Sequence, residues 1–211
     1  MNKIKKIAGY LRNLRRSRLL LSLHNNGYLV ELGWFKTLDT RVPTDASNEY
    51  IPWCTYSYIE FIKTRLNNNM EVFEYGAGYS SIFYAKRVKS LISVESDFGW
   101  MKTIQPLLPP NTQLIYQQLD YNGQYCSVIN KTDKQYDVII IDGRDRVNCL
   151  QKCIRNLKEE GLIVLDDSER ENYRSGIEFL EKNGFMRVDF WGIAPAYFHN
   201  KCTSVFYRKY I

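Results

Sequence analysis

Two groups of residues in this chain have the types and spacing to do chemistry. The first is Glu74, Gly76, Ala77, Gly78, Ser80 and Ser81, followed 17 residues after Gly78 by Glu95. Glycines closing an apolar run tolerate positive φ and let a ligand approach the backbone closely. A helix that starts there presents free N–H groups, and an acid at the tip of the neighbouring parallel strand completes a place where nucleotide-like ligands bind. The second group is Asp142, Asp166 and Asp167, each at the end of a β-branched or apolar run. On one sheet edge, three such carboxylates repel one another unless protonated or neutralised. A hard divalent cation such as magnesium, with its waters and substrate oxygens, is one remedy. The alternative is that Asp166 and Asp167 only cap the helix that starts near Glu169. Asp142, Asp145 and His199 are the candidate proton acceptors, whereas Arg144 stays protonated and is not one.

The elements that must position these residues follow from hydrophobic period and turn chemistry. Residues 70–75 form a short buried strand, and Ser80 or Ser81 caps a helix running to about residue 88. Residues 91–94 form the second strand, ending at Glu95. A helix over 98–105 is stopped by Pro106 or by Pro109-Pro110, and a third strand over 112–118 leads to Asp120 and Tyr121. Residues 136–141 form the clearest strand, with Val138 to Ile141 β-branched throughout and apolar on both faces, as a central parallel strand requires. A helix over 147–160 ends at Gly161, a strand over 162–165 ends in Asp166-Asp167, and a helix spans 169–182. Strands at 185–192 and 203–207 are joined by a loop carrying His199. Alternating strands and helices make a parallel sheet covered on both faces, and the last connection makes an antiparallel hairpin. Upstream, residues 27–48 read as irregular. A helix beginning at Ile51-Pro52-Trp53 carries Tyr56, Ile59, Ile62 and Leu66 on one face and stops at Asn67.

Bulk properties narrow the class. The chain has 211 residues, 45% hydrophobic and 14% aromatic, which suits one α/β core. Five cysteines without a C-x-x-C pair, and two distant histidines, make a zinc site a poor fit and suit a reduced, cytoplasmic chain. No run of about 20 apolar residues is present to span a membrane. The net charge of +6 is concentrated at the start. Residues 1–30 hold seven basic residues and no acid, so the remainder carries 22 basic against 23 acidic residues. Ile4, Ile7, Ala8, Leu11 and Leu14 recur at helical spacing among those charges. Residues 3–18 therefore form a basic amphipathic helix that suits an anionic membrane surface or packing on the protein itself. The body has no basic patch to match, which argues against nucleic acid.

The string E-x-G-x-G from Glu74 to Gly78, with Glu95 ending the next strand, resembles the first two motifs of class I S-adenosylmethionine-dependent methyltransferases. The resemblance implies a Rossmann-like seven-stranded α/β sheet over 70–211, preceded by an N-terminal basic helix and acceptor-side cover over 1–69. It implies a donor site made by Glu74, Gly76, Ala77, Gly78, Ser80, Ser81, Glu95, Asp120 and Tyr121. Glu95 would take both ribose hydroxyls, Asp120 the adenine amino group and Tyr121 a stacking face. Asp120 reads equally well as the cap of a turn at Asn122-Gly123. A dinucleotide site fits less well, because Ser81 stands where its third glycine belongs and Glu74 precedes the loop.

The carboxylates resemble those of metal-dependent O-methyltransferases, in which an Asp ends the fourth strand and an Asp-Asn pair the fifth. That implies magnesium on Asp142, Asp166 and Asp167, although Asp167 replaces the Asn and Asp145 stands where catechol members have lysine. The strings PWCTYSYIEF, VFEYGAGYSS, IIIDGRDR and TSVFYRK are similar to small bacterial methyltransferase-like proteins associated with surface-polysaccharide synthesis. This implies O-methylation of a sugar hydroxyl on a small-molecule or glycan acceptor. The other readings are a non-catalytic binding protein on the same fold and a dinucleotide-dependent oxidoreductase.

Overall fold

The structure, a computed structural model, describes residues 14–209. Its centre is a seven-stranded sheet built from β1 (Glu71–Tyr75), β2 (Ser90–Glu95), β3 (Thr112–Tyr116), β4 (Tyr136–Ile141), β5 (Leu157–Asp166), β6 (Phe185–Gly192) and β7 (Lys201–Arg208). The spatial order is β3-β2-β1-β4-β5-β7-β6. The first five strands are mutually parallel, and β7 runs antiparallel to both β5 and β6. The expected Rossmann-like methyltransferase sheet with its terminal hairpin is therefore the observed one. The order reverses at β1, which lies between β2 and β4. A crevice opens outside the strand ends at such a switch point.

Side-chain alternation divides the core into two layers. Phe73, Tyr75, Ile139, Ile141, Ile163 and Leu165 face one layer, with Leu150 and Ile177 from the helices. Val72, Val138, Ile140, Val164 and Val205 face the other, with Trp34, Tyr58, Ile62 and Phe83. Glu74, Asp142 and Asp166 continue the second series, two residues beyond Val72, Ile140 and Val164. They therefore share one face.

The helices are α1 (Leu14–Ser22), α2 (Tyr28–Glu31), α3 (Trp34–Thr40), α4 (Tyr56–Lys63), α5 (Tyr79–Ala85), α6 (Phe98–Ile104), α7 (Gln124–Ser127), α8 (Arg146–Cys153) and α9 (Arg174–Lys182). Several differ from expectation. Residues 27–48 are not irregular, because they hold α2 and α3, and α3 buries Trp34 and Thr37. α4 starts after Pro52, with Thr55 extended at φ −62°, and stops before Leu66. The helix expected over 147–160 ends at Cys153. Leu157 instead pairs with Tyr136, and the β4–β5 register shifts before Val138 meets Leu162. Gly161 sits in that irregularity, where a Cβ would lie 2.7 Å from Leu157 Cδ1, and caps no helix. Leu157 is buried, and the sheet layer outweighs helical propensity there. The helix expected from Glu169 begins at Arg174, after a 3-10 turn over Glu171–Tyr173. β7 begins two residues earlier than expected, at Lys201. The basic helix expected over residues 3–18 falls outside the described residues as far as residue 13; residues 14–18 lie in α1, which leaves Leu19 and Leu21 exposed. Among the described residues, no helix is long and apolar enough to cross a membrane. All five cysteines are unbridged and buried.

Candidate active site

The glycine loop is held from below by Glu74. Because it shares the face of Val72, Glu74 points under α5 and is wholly buried. Its carboxylate accepts hydrogen bonds from Ser80 Oγ at 2.5 Å, from Ser93 Oγ at 2.5 Å and from Ser81 Oγ. Ser81 Oγ in turn accepts from the Gly78 N–H at 3.0 Å, closing the start of α5. Burial lifts Glu74 to about 7, opposed by the three serine hydroxyls. Glu74 and Ser81 were expected to contact a ligand. Both are instead sealed inside the protein and fix the loop's shape, because alternation along β1 turns Glu74 away from the crevice.

Gly76 has φ +96° and its position excludes a side chain, since a Cβ would meet Gly143 Cα and N at 2.7 Å. Gly143 is equally confined, with Tyr125 Oη 2.3 Å and Gly76 N 2.9 Å from a built Cβ. The loops after β1 and β4 thus touch backbone to backbone at the switch point. Above them lies a cavity of about 560 Å³, lined by Gly76, Ala77, Gly78, Ser80, Glu95 and Asp142 among others. Such a volume suits a nucleoside-sized ligand with part of an acceptor. Trp100 walls it, donating Nε1–H to Ala77 O at 2.8 Å. Trp53 and Arg41, from the segment before the sheet, also line it, as do Tyr79, Tyr125 and Arg144.

Glu95 ends β2 at the rim. Its Oε1 accepts from the N–H groups of Ser96 and Asp97, both at 2.7 Å. Those two bonds fix the carboxylate plane and leave Oε2 for a ligand in the cavity.

Asp142, Asp166 and Asp167 are brought together, as the parallel sheet requires. Protein cations meet them there. Arg146 Nη2 lies 2.9 Å from Asp142 Oδ1, and Nη1 lies 3.5 Å from Asp167 Oδ2. The same guanidinium donates to the carbonyls of Asp166 at 2.6 Å, Asp142 at 2.7 Å and Gly143 at 3.0 Å, tying the ends of β4 and β5 together. Lys201 Nζ lies 2.5 Å from Asp167 Oδ1, a close ion pair without hydrogen-bond alignment, and 3.4 Å from Asp166 Oδ2. Thr203 donates to Asp166 Oδ1 at 2.6 Å, and Arg170 reaches Asp167 Oδ2 at 2.6 Å. Burial lifts Asp142 to about 7, with Arg146 opposing and the two neighbouring aspartates assisting. Lys201 is held above the ordinary lysine range because the attraction of Asp166 and Asp167 outweighs its desolvation.

A magnesium ion needs several free oxygens in an open shell. Here one oxygen of Asp142 and both oxygens of Asp166 and Asp167 already have protein partners, so these residues do not fit the metal. Cys54 Sγ lies with oxygens of Asp142 and Asp166, all within 4.8 Å of one another. Burial, and then those two carboxylates, push its thiol well above the ordinary range, so it brings a proton and not a thiolate.

The remaining candidates lie apart from the cavity lining. Asp120 accepts from the N–H groups of Gln124 at 2.7 Å and Tyr125 at 2.8 Å, which caps α7. Tyr121 is exposed beside it. Asp145 sits at φ 48° and accepts from Asn122 N at 2.8 Å and Asn148 Nδ2 at 2.6 Å. His199 is exposed, edge-on to Tyr197. The structure leaves Asp142 as the candidate proton acceptor in the cavity. Sequence reasoning missed Arg41, Trp53, Trp100, Tyr125, Arg170 and Lys201. The signal that could have found Lys201 was the antiparallel return of β7, which sets the first residues of that strand at the edge where β4 and β5 end.

No protein-family model matches the sequence, and no curated protein matches it. Solved structures do. The O-methyltransferase TomG of Streptomyces achromogenes, in complex with SAM, superposes with a TM-score of 0.58 at 11% identity, covering 87% of this chain and 90% of that one. The precorrin-6y C5,15-methyltransferase of Geobacter metallireducens gives 0.56 at 17% identity over 72% of this chain and 87% of that chain. An rRNA methylase from Streptococcus thermophilus gives 0.54 at 14% identity, covering 71% and 92%. The chain has the methyltransferase fold. These neighbours of the methyltransferase-fold protein act on substrates as different as a precorrin and rRNA, and TomG holds SAM. The likeness therefore speaks to the sheet and its crevice, and the acceptor must be argued from this chain's own residues.

Proposed function

We propose that this protein is an S-adenosylmethionine-dependent O-methyltransferase acting on a sugar hydroxyl in glycan or polysaccharide synthesis. The observation that carries the donor half is Glu95, with Oε1 locked by two amides and Oε2 free at the rim of the switch-point cavity. S-adenosylmethionine supplies an electrophilic methyl group when bound. Gly76, Ala77, Gly78 and Ser80 would hold its methionine part, and Glu95 its ribose. Asp142, across the touching glycine loops, keeps one oxygen free to receive the acceptor's hydroxyl proton. A group that titrates near neutrality suits that role. Holding both reactants in one cavity supplies much of the rate.

The cavity's aromatic lining supports a sugar acceptor. Trp53, Tyr79 and Trp100 line it, and Tyr79 stacks on Tyr50 at 5.2 Å. Aromatic faces with polar tips suit the apolar faces of sugar rings. Residues before the sheet act as the acceptor-side cover, through Arg41 and Trp53. The basic segment of residues 3–18 rests on an anionic membrane surface, where a lipid-linked glycan would be presented.

Calorimetry with S-adenosylmethionine, S-adenosylhomocysteine and NAD tests the donor. Absence of binding to the first two ends the proposal, and binding of NAD alone favours an oxidoreductase. Transfer of labelled methyl into a panel of sugars, lipid-linked glycans and catechols tests the acceptor. Donor binding with no turnover on any of them points to a non-catalytic binding protein. Co-sedimentation with phosphatidylglycerol vesicles at low salt tests the membrane contact, and a protein that stays in the supernatant rules it out.

A further inference from the structure

We infer that Lys201, with Arg146, takes the place of a divalent metal in the carboxylate cluster, so that the acceptor is positioned at Asp142 without any metal ion. The chemistry at Asp142 rests on the proposed methyl transfer; the statement about the cluster does not.

The charges balance within the protein. Asp142, Asp166 and Asp167 meet Arg146, Lys201 and Arg170, three cations among three carboxylates. Lys201 and Asp166 are both almost wholly buried. A buried carboxylate pair without compensating charge would be strongly disfavoured. The arrangement has a topological cause. β7 runs antiparallel to β5, with Asp166 opposite Thr203. Its first residues therefore lie at the edge where the parallel strands end. Alternation places Lys201 on the face of Thr203 and Val205, which is the face of Asp142 and Asp166. Lys201 Nζ then reaches both Asp166 and Asp167, as a bridging metal would.

The occupancy of the oxygens makes the inference specific. Asp166 Oδ1 takes Thr203, Asp166 Oδ2 and Asp167 Oδ1 take Lys201, and Asp167 Oδ2 takes Arg146 and Arg170. Asp142 Oδ1 takes Arg146. Among the described residues, Asp142 Oδ2 is the one oxygen of the six without a protein partner, and Asp142 lines the cavity. Lys201 is thus a positioning residue. It acts through Asp166 and Asp167 to fix the edge on which Asp142 stands, and it denies a cation the oxygens needed to bind there.

Manganese, a spectroscopic stand-in for magnesium, reads this without any assay of activity. Titrated with Mn²⁺ and followed by electron paramagnetic resonance, the wild-type protein should show no bound ion up to about 1 mM. Lys201→Ala should gain Mn²⁺ affinity at least tenfold, and Lys201→Arg should refuse the ion like the wild type. Tight binding by the wild type that Asp142→Asn or Asp166→Asn abolishes would overturn the inference. A folded Lys201→Ala that still refuses Mn²⁺ would also overturn it. Should Lys201→Ala not fold, the wild-type titration decides alone. Once an acceptor is known, turnover in excess EDTA should stay within twofold of that in magnesium. Loss of turnover restored by magnesium refutes the metal-free site while leaving methyl transfer intact.

Discussion

Replacing Glu95 by glutamine separates its two carboxylate oxygens. The Ser96 and Asp97 amides at 2.7 Å can donate only to an acceptor, so the glutamine carbonyl oxygen must stay on them. Its NH₂ then faces the cavity, where the wild type offers an acceptor carboxylate oxygen. In the proposed donor site, both ribose hydroxyls then lose a charged acceptor at once. Hydrogen bonds to charged groups contribute roughly 1.5–3 kcal/mol each, and hydroxyl oxygens can recover about 1 kcal/mol by accepting from the amide. The net loss is about 2–5 kcal/mol, or roughly 30- to 4000-fold in Kd. Calorimetry with S-adenosylhomocysteine measures it, with thermal unfolding as the control for folding. Because the loop anchor survives, Tm should move by only a few degrees. A folded Glu95→Gln protein whose Kd stays within threefold of the wild type would refute this account of the donor site.

Two further outcomes follow from the same geometry. Gly143→Ala places a methyl 2.3 Å from Tyr125 Oη and 2.9 Å from Gly76 N. It should cost about 1–3 kcal/mol of stability, and Tyr125→Phe in the same chain should restore part of it; denaturant titration giving an unchanged midpoint would show the loops are not in contact. Glu74 carries a folded pKa of about 7 against an ordinary 4.5. Because burial raises it, its contribution is fully present below about pH 4.5 and is lost as pH rises through 7, on the order of 3 kcal/mol in all. The stability of the wild type relative to Glu74→Gln should therefore fall between pH 5 and pH 8, and a difference that does not vary with pH contradicts the burial argument.

Much of the sheet was legible because its strands carry unambiguous signals. β4 runs from Tyr136 to Ile141 as its β-branched composition indicates, and β6 runs from Phe185 to Gly192. Misreadings fell where one apolar series fits two periods. Leu150, Ile154 and Leu157 suit a helix face, yet Leu157 opens β5, because its partner Tyr136 is supplied by a strand far away in sequence. The site shows the same division. Gly76, Gly78, Glu95 and Asp142 carry local signals at strand ends, and all four line the cavity. Asp120 and Asp145 carry equally local signals, but their carboxylates are spent on nearby amides.

The repeating order of strands and helices, the glycine loop and the carboxylates at the strand ends are written locally in the chain. These depend on local composition and on the short-range geometry of turns. What those carboxylates face is set by contacts between distant parts of the chain. Alternation along β1 turned Glu74 inward onto three serines, and the antiparallel course of β7 brought Lys201 to Asp166 and Asp167 from 35 and 34 residues away. Charge neutralisation depends on distances of a few ångströms between residues far apart in the chain, and only the folded sheet sets those distances.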